Sequence, residues 1–195
     1  AVSRASDSLS YVYRLDEKYW LMMLDSCMCE PVHETGGKLS EETVAWMKTQ
    51  LEEAKKQGVT VIPVSHHNLL DESTLYPEEC TIENTKEVTA LLEAYGVPVY
   101  LSGHLHLQRI KKHTSNLNTP GGYGIREIVT SPLPMAPCQY SILNWQADGS
   151  LSYHTKKVDI AGWAQRYGEE DENLLNFDAY ADQFLVDVIS EQTFK

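Results

Sequence analysis

Gly58-Val59-Thr60-Val61-Ile62-Pro63-Val64-Ser65-His66-His67-Asn68 and Gly96-Val97-Pro98-Val99-Tyr100-Leu101-Ser102-Gly103-His104-Leu105-His106 decide how this chain is read. Each stretch leaves a glycine, runs through a short β-branched or aromatic segment, and ends on serine and histidine. Gly58 stands as far from His66 as Gly96 does from His104. Short apolar runs bounded by turn residues fit strands covered on both faces. A helical pattern precedes each. Ser40 is a natural N-cap, Glu41 and Glu42 lie where the helix dipole favours acids, and Val44, Met47, Leu51 and Ala54 recur at helical spacing before Gly58. The second helix runs from about Asn84, with Val88, Leu91, Leu92 and Tyr95 on one stripe and Gly96 at its end. Helix, strand and histidine, twice over, predict an α/β layered domain. Both histidines then sit at carboxyl ends of strands, the edge where open α/β sheets bind ligands.

Working outward, residues 11–15 and 19–24 read as two strands joined by the turn Asp16-Glu17-Lys18. Beyond His106, residues 107–112, 126–130, 139–145 and 151–158 read as four strands, predicted as one antiparallel meander. Its strongest turn signals are Pro120-Gly121-Gly122 and Ala147-Asp148-Gly149. Leu174, Leu175, Phe177, Tyr180, Phe184, Leu185 and Val188 then fit a helical period. The 195 residues can bury a real core without staples. The net charge of −12 argues against nucleic acid, whose phosphates need Lys and Arg, and against an anionic membrane surface. The apolar run Trp20-Leu21-Met22-Met23-Leu24 is far shorter than the roughly 20 residues of a membrane span. Residues 159–195 hold nine acids and two bases, so most of the negative charge lies there. That shift divides the chain into residues 1–158 and an acidic helical appendage, 159–195.

Cys27, Cys29, Cys80 and Cys138 lack the paired spacing of a zinc finger and read as free or buried thiols. They leave the compartment open. His33, beside Glu34 in a loop that continues to Gly36-Gly37, reads as solvated, and His113 and His154 as strand residues. His66 and His67 form one cluster, and His104 and His106 another. Residues i and i+2 of an extended chain share a face, so His104 and His106 are expected to aim at one pocket. Imidazole binds Zn, Mn and Fe, and His66 on a neighbouring strand strengthens a metal reading. Hydrogen-bonded histidines capping strand ends are the alternative.

Val64-Ser65-His66-His67 followed by Leu101-Ser102-Gly103-His104-Leu105-His106 resembles the last two active-site motifs of the calcineurin-like metallophosphoesterases. Leu24-Asp25-Ser26, Gly37-Lys38-Leu39 and the helix with Trp46 resemble that family's intervening stretch. Ile128-Val129-Thr130-Ser131 and Gln139-Tyr140 resemble its late strands. The nearest branch is the bacterial one related to cyclic-nucleotide phosphodiesterases and purple acid phosphatases. The resemblance implies the C-terminal half of a four-layer αββα sandwich. It implies His66 and His104 on one metal ion, His106 on the other, and His67 facing substrate. It implies a hydrolase of phosphate mono- or diesters using two ions of Mn, Fe or Zn.

The chain contains no Asp-x-His, Gly-Asp or Gly-Asn, the elements that supply the family's bridging aspartate and remaining ligands. It therefore resembles the C-terminal part alone, and the missing N-terminal half is an expected partner. Two cations about 3.5–4 Å apart need a carboxylate between them, and three neutral imidazoles hold one ion weakly at most. By itself the chain is expected to show little or no activity. An exposed apolar sheet face or edge is expected to favour a homo-oligomer. Two other readings stand: a binding or assembly module without catalysis, with the acidic helical tail as its interface, and a single-metal protein built on the histidines.

Overall fold

The computed structural model describes residues 2–29, 34–71, 77–113, 124–146 and 148–193. His33, Pro120-Gly121-Gly122 and Ala147 lie outside them. The chain divides into two compact units, Ala1–Val129 and Thr130–Lys195. This is a division of backbone proximity, whereas the change near residue 158 is one of charge.

The first unit runs β1 (Ser3–Arg4), β2 (Tyr11–Arg14), β3 (Tyr19–Met23), α1 (Glu41–Gln57), β4 (Thr60–Val64), α2 (Pro77–Cys80), α3 (Thr85–Ala94), β5 (Val99–Ser102), β6 (Arg109–Lys112) and β7 (Arg126–Val129). Among the described residues these strands form one mixed sheet in the order β1-β2-β3-β4-β5-β7-β6. The inner strands β3, β4, β5 and β7 are parallel, and the antiparallel pairs lie toward the edges. The capping of α1 follows its sequence. The Ser40 hydroxyl accepts the Thr43 N–H at 2.9 Å, and Gly58 closes the helix at φ +69°.

Register separates the two sheet faces. Trp20 is level with Val61, and Tyr100 with Glu127. Trp20, Met22, Val61 and Tyr100 pack with Val44, Met47 and Leu51 of α1 and Val88 and Leu92 of α3. Full burial of such a side chain contributes about 1.5–3 kcal/mol. The opposite face is also apolar. Ile62, Val99 and Ile128 on it are buried, Leu21, Met23, Val64 and Leu101 half-buried, and Tyr13 and Ile110 each 49% exposed. Both outer strands carry positive charge: Arg4 on the two-residue β1, and Arg109, Lys111 and Lys112 on β6. Charged, short edges resist further strand pairing.

The second unit runs β8 (Gln139–Trp145), β9 (Leu151–Lys157), α4 (Ile160–Tyr167), α5 (Glu172–Leu175) and α6 (Phe177–Thr193). β8 and β9 pair antiparallel along their whole length, from Gln139↔Lys157 to Trp145↔Leu151. The predicted four-strand meander is thus corrected. β7 enters the large sheet parallel to β5, and β6 pairs antiparallel with β7 as the sheet's edge strand, while β8 and β9 make a separate ribbon. Burial explains the split. Glu127, Ile128 and Val129 of β7 are all buried, as a strand covered on both faces requires, whereas β9 alternates half-buried and exposed positions. The helical period of the tail is interrupted at Asn176, between α5 and α6.

Candidate functional site

β4 ends at Val64 and β5 at Ser102, and Val64 lies level with Leu101 in the parallel pair. The next residues of both strands therefore emerge at one sheet edge. His66 and His104 each come two residues after their strand, and the rings meet with centroids 4.8 Å apart. His66 Nε2 and His104 Nδ1 are 2.8 Å apart. One nitrogen must carry the proton and the other accept it, so each ring fixes the other's tautomer. The Gly103 N–H donates to the His66 carbonyl at 3.1 Å, which holds the two loops together through the main chain.

His67 lies within the same cluster, 4.8 Å from the His104 ring and 5.2 Å from that of His66. Its side chain is committed to the protein. Nε2 lies 3.0 Å from the Thr35 carbonyl, which can only accept, so the proton sits on Nε2. Nδ1 then accepts from the Ser26 hydroxyl at 2.8 Å. A Cβ on Gly37 would collide with the His67 ring, so the ring packs directly on that backbone. The family resemblance implies that His67 faces substrate. In the folded chain it staples the loop of Ser26, Thr35 and Gly37 to the end of β4.

His106 is placed differently. His104 and His106 have φ of +64° and +54°, so the segment is not extended and the shared-face argument does not apply to it. The left-handed region costs a non-glycine residue about 1–2 kcal/mol. His106 is exposed and makes no hydrogen bond among the described residues. Among those residues no group of three or more His, Cys, Asp or Glu side chains converges as a metal site would require.

Burial disfavours the charged forms of His67 and His104, and both titrate below the ordinary histidine range. For His67 the Thr35 carbonyl opposes that shift and His66 adds to it. For His104 the neighbouring His67 and His66 add to it, and a hydrogen bond with the Glu79 backbone opposes it. A neutral imidazole has one lone pair to offer a cation, and that of His67 is taken by the Ser26 hydroxyl.

Beneath the loops lies a buried polar network that the sequence reading missed. Glu127 on β7 is fully buried. Its Oε1 accepts the Leu69 N–H at 2.7 Å and the Ser102 hydroxyl at 2.6 Å, and its Oε2 accepts the Leu70 N–H at 2.6 Å. Asn68 Nδ2 donates to Ser102 Oγ at 2.9 Å and to the Gly103 carbonyl at 3.2 Å. Its Oδ1 is buried without a hydrogen-bond partner among the described residues. The available signal was a lone acid next to the apolar pair Ile128-Val129 of β7. Asp25 accepts the N–H groups of Leu9 and Cys27. The four cysteines are free thiols, Cys27 and Cys29 exposed, Cys80 and Cys138 buried.

A two-metal centre needs more than these residues offer. Two imidazoles converge, the third is occupied, and no carboxylate completes a ligand set among the described residues. What is present fits part of one ion's shell. A tetrahedral ion with bonds of about 2.0 Å to nitrogen sets two donors about 3.3 Å apart. The His66–His104 pair, at 2.8 Å, would open by about half an ångström to match that spacing.

Residues 159–195 match the family model of the C-terminal domain of cyclic nucleotide phosphodiesterase. Among solved structures the chain is similar to a dimetal phosphatase from Danio rerio, with a TM-score of 0.52 and 14% sequence identity. The match covers 67% of this chain and 52% of the other, so the chain spans about half of that protein's length. At this identity the likeness speaks for the fold: a mixed α/β architecture around a central sheet. No curated protein matches the chain in sequence. Both matches are to proteins of phosphoester chemistry.

Proposed function

We propose that this chain is the C-terminal part of a metal-dependent phosphoesterase that hydrolyses phosphate mono- or diesters, with His66, His104 and His106 as metal ligands. The observation that carries this reading is the facing pair His66 Nε2 and His104 Nδ1, 2.8 Å apart at the carboxyl edge of two parallel strands. His66 and His104 serve one ion, and His106, on its exposed turn, serves the second. The ions are Mn, Fe or Zn, and when bound they supply Lewis acidity toward a phosphoryl oxygen. This chain's own part is to hold neutral imidazoles at a fixed spacing. His67 keeps the neighbouring loop closed over that edge. The missing carboxylates come from the N-terminal half of the same protein. Its sheet packs on the second, apolar face of the present one to complete the αββα layers.

The chain alone therefore binds at most one ion weakly and does not turn over. Calorimetric titration with zinc tests this, with one equivalent or less expected at weak affinity. The double variant His66→Ala/His104→Ala should lose that binding. Tight binding of two ions, or binding indifferent to the double substitution, would overturn the assignment. Ordinary enzyme rates on an aryl phosphate ester would overturn the inactivity of the isolated chain. The second reading, an assembly module, draws on the half-exposed apolar face that carries Tyr13, Leu21, Leu101 and Ile110. On that reading a partner protein binds equally well to the double variant. Lacking a partner, the same face supports self-association of the chain.

A further inference from the structure

We propose that Glu127 is the positioning residue that sets His66 against His104, acting through Ser102, Asn68 and the main chain at Leu69 and Leu70. The proposal deepens the functional reading and rests on it only for the consequence to metal binding. Its geometric basis is separate. Glu127 belongs to neither histidine loop. It stands on β7, level with Tyr100 of β5, two positions before Ser102. From there one carboxylate oxygen reaches across to the β4 loop and the β5 end together, through Leu69 N–H and the Ser102 hydroxyl. The other oxygen takes Leu70 N–H.

The links continue to both histidines. Having donated its proton to Glu127, the Ser102 hydroxyl accepts from Asn68 Nδ2. Asn68 is two residues from His66 and also donates to the carbonyl of Gly103, next to His104. The Gly103 N–H returns to the His66 carbonyl. These links form a closed ring, and Glu127 is its fixed point on the sheet. A carboxylate suits the place because it offers acceptors only, and the Leu69 N–H, the Leu70 N–H and the Ser102 hydroxyl are all donors. A glutamine there would set an NH2 group against a backbone N–H or the serine hydroxyl, leaving a buried donor unpaired.

The test reads the imidazole pair itself. The full chain, labelled with 15N-histidine and free of metal, is examined by long-range proton–nitrogen correlation. The wild type should show His66 and His104 each in one fixed tautomer, with the same ring nitrogen protonated in both. In Glu127→Gln their nitrogen signals should collapse toward the average of the two tautomers. His154, on the separate β9, should not move in either protein. Circular dichroism checks the fold. If Glu127→Gln fails to fold, Ser102→Ala decides. It cuts the bridge to Asn68, leaves both main-chain bonds, and should give a smaller change of the same kind.

A folded Glu127→Gln with wild-type tautomers overturns the proposal. So do averaged tautomers in the wild type, or loss of the fold in both variants, which would make the network a matter of stability alone. Zinc titration of the same samples separates the two readings. Tautomers that respond to Glu127→Gln in a chain that never binds zinc uphold the positioning role and sink the metal assignment. Zinc binding that survives with unchanged tautomers does the opposite.

Discussion

The loop after β4 and the loop after β5 carry the same kind of sequence and use it differently. Each brings one histidine to the shared edge, His66 and His104, and these meet. The second histidine of each loop diverges. His67 is 3% exposed, with both ring nitrogens bonded and its face against Gly37. His106 is exposed and held at positive φ. A repeated motif thus fixes where a loop starts, while the local backbone decides what each side chain faces.

The largest expected break of that contrast comes from replacing the two second histidines in turn. His67→Ala removes a buried ring and two hydrogen bonds, and leaves the Ser26 hydroxyl and the Thr35 carbonyl without their partner. A loss of about 2–4 kcal/mol is expected. His106→Ala, at an exposed site, should stay within about 0.5 kcal/mol. Urea unfolding of the two variants measures this, and equal losses would erase the distinction.

A smaller effect is expected from acid. His67 and His104 titrate below the ordinary value of 6.5 when folded, so the unfolded chain binds more protons in the window between. Their contribution to stability is fully present above 6.5 and is lost as the pH falls from there through the depressed folded values. Urea midpoints of metal-free protein at pH 8, 6.5 and 5.5 should fall in that order. The fall should be shallower in His67→Ala, and an unchanged slope there would contradict the burial of His67.

The smallest effect sharpens the other side of the comparison. His106→Gly relieves the left-handed backbone, offset by glycine's greater freedom when unfolded, and should leave stability equal or raised by about 1 kcal/mol. A clear loss in thermal unfolding would mean that the His106 ring is held.

Much of this is legible in the sequence alone. Ser40, Gly58 and Gly96 mark helix ends because capping and left-handed turns are local chemistry. The strand–histidine echo marks the sheet edge because parallel strands put equivalent positions level. The rest depends on contacts distant in sequence. Nothing in the run from Arg126 to Val129 says that β7 inserts beside β5 rather than continuing to β8. The reading of His67 as facing substrate could not include Thr35 and Gly37, which reach it from a loop before α1. The extended geometry assumed for His104 and His106 fails because Leu105 turns back, its N–H bonding the Gly103 carbonyl at 2.7 Å.

The level placement of Val64 and Leu101 also bears on how the molecule reaches its native state. The β2–β3 hairpin joins residues near in sequence, while β4 and β5 come together only after the long connection through α3 is closed. Pairings across long loops meet their entropy before any contact rewards it, and slow the reaction that requires them. The His66–His104 contact depends on such a pairing, and Glu127 adds a second one through β5 and β7. In a refolding chain the imidazole pair should therefore be among the last features to form, and its appearance would time the completion of the sheet.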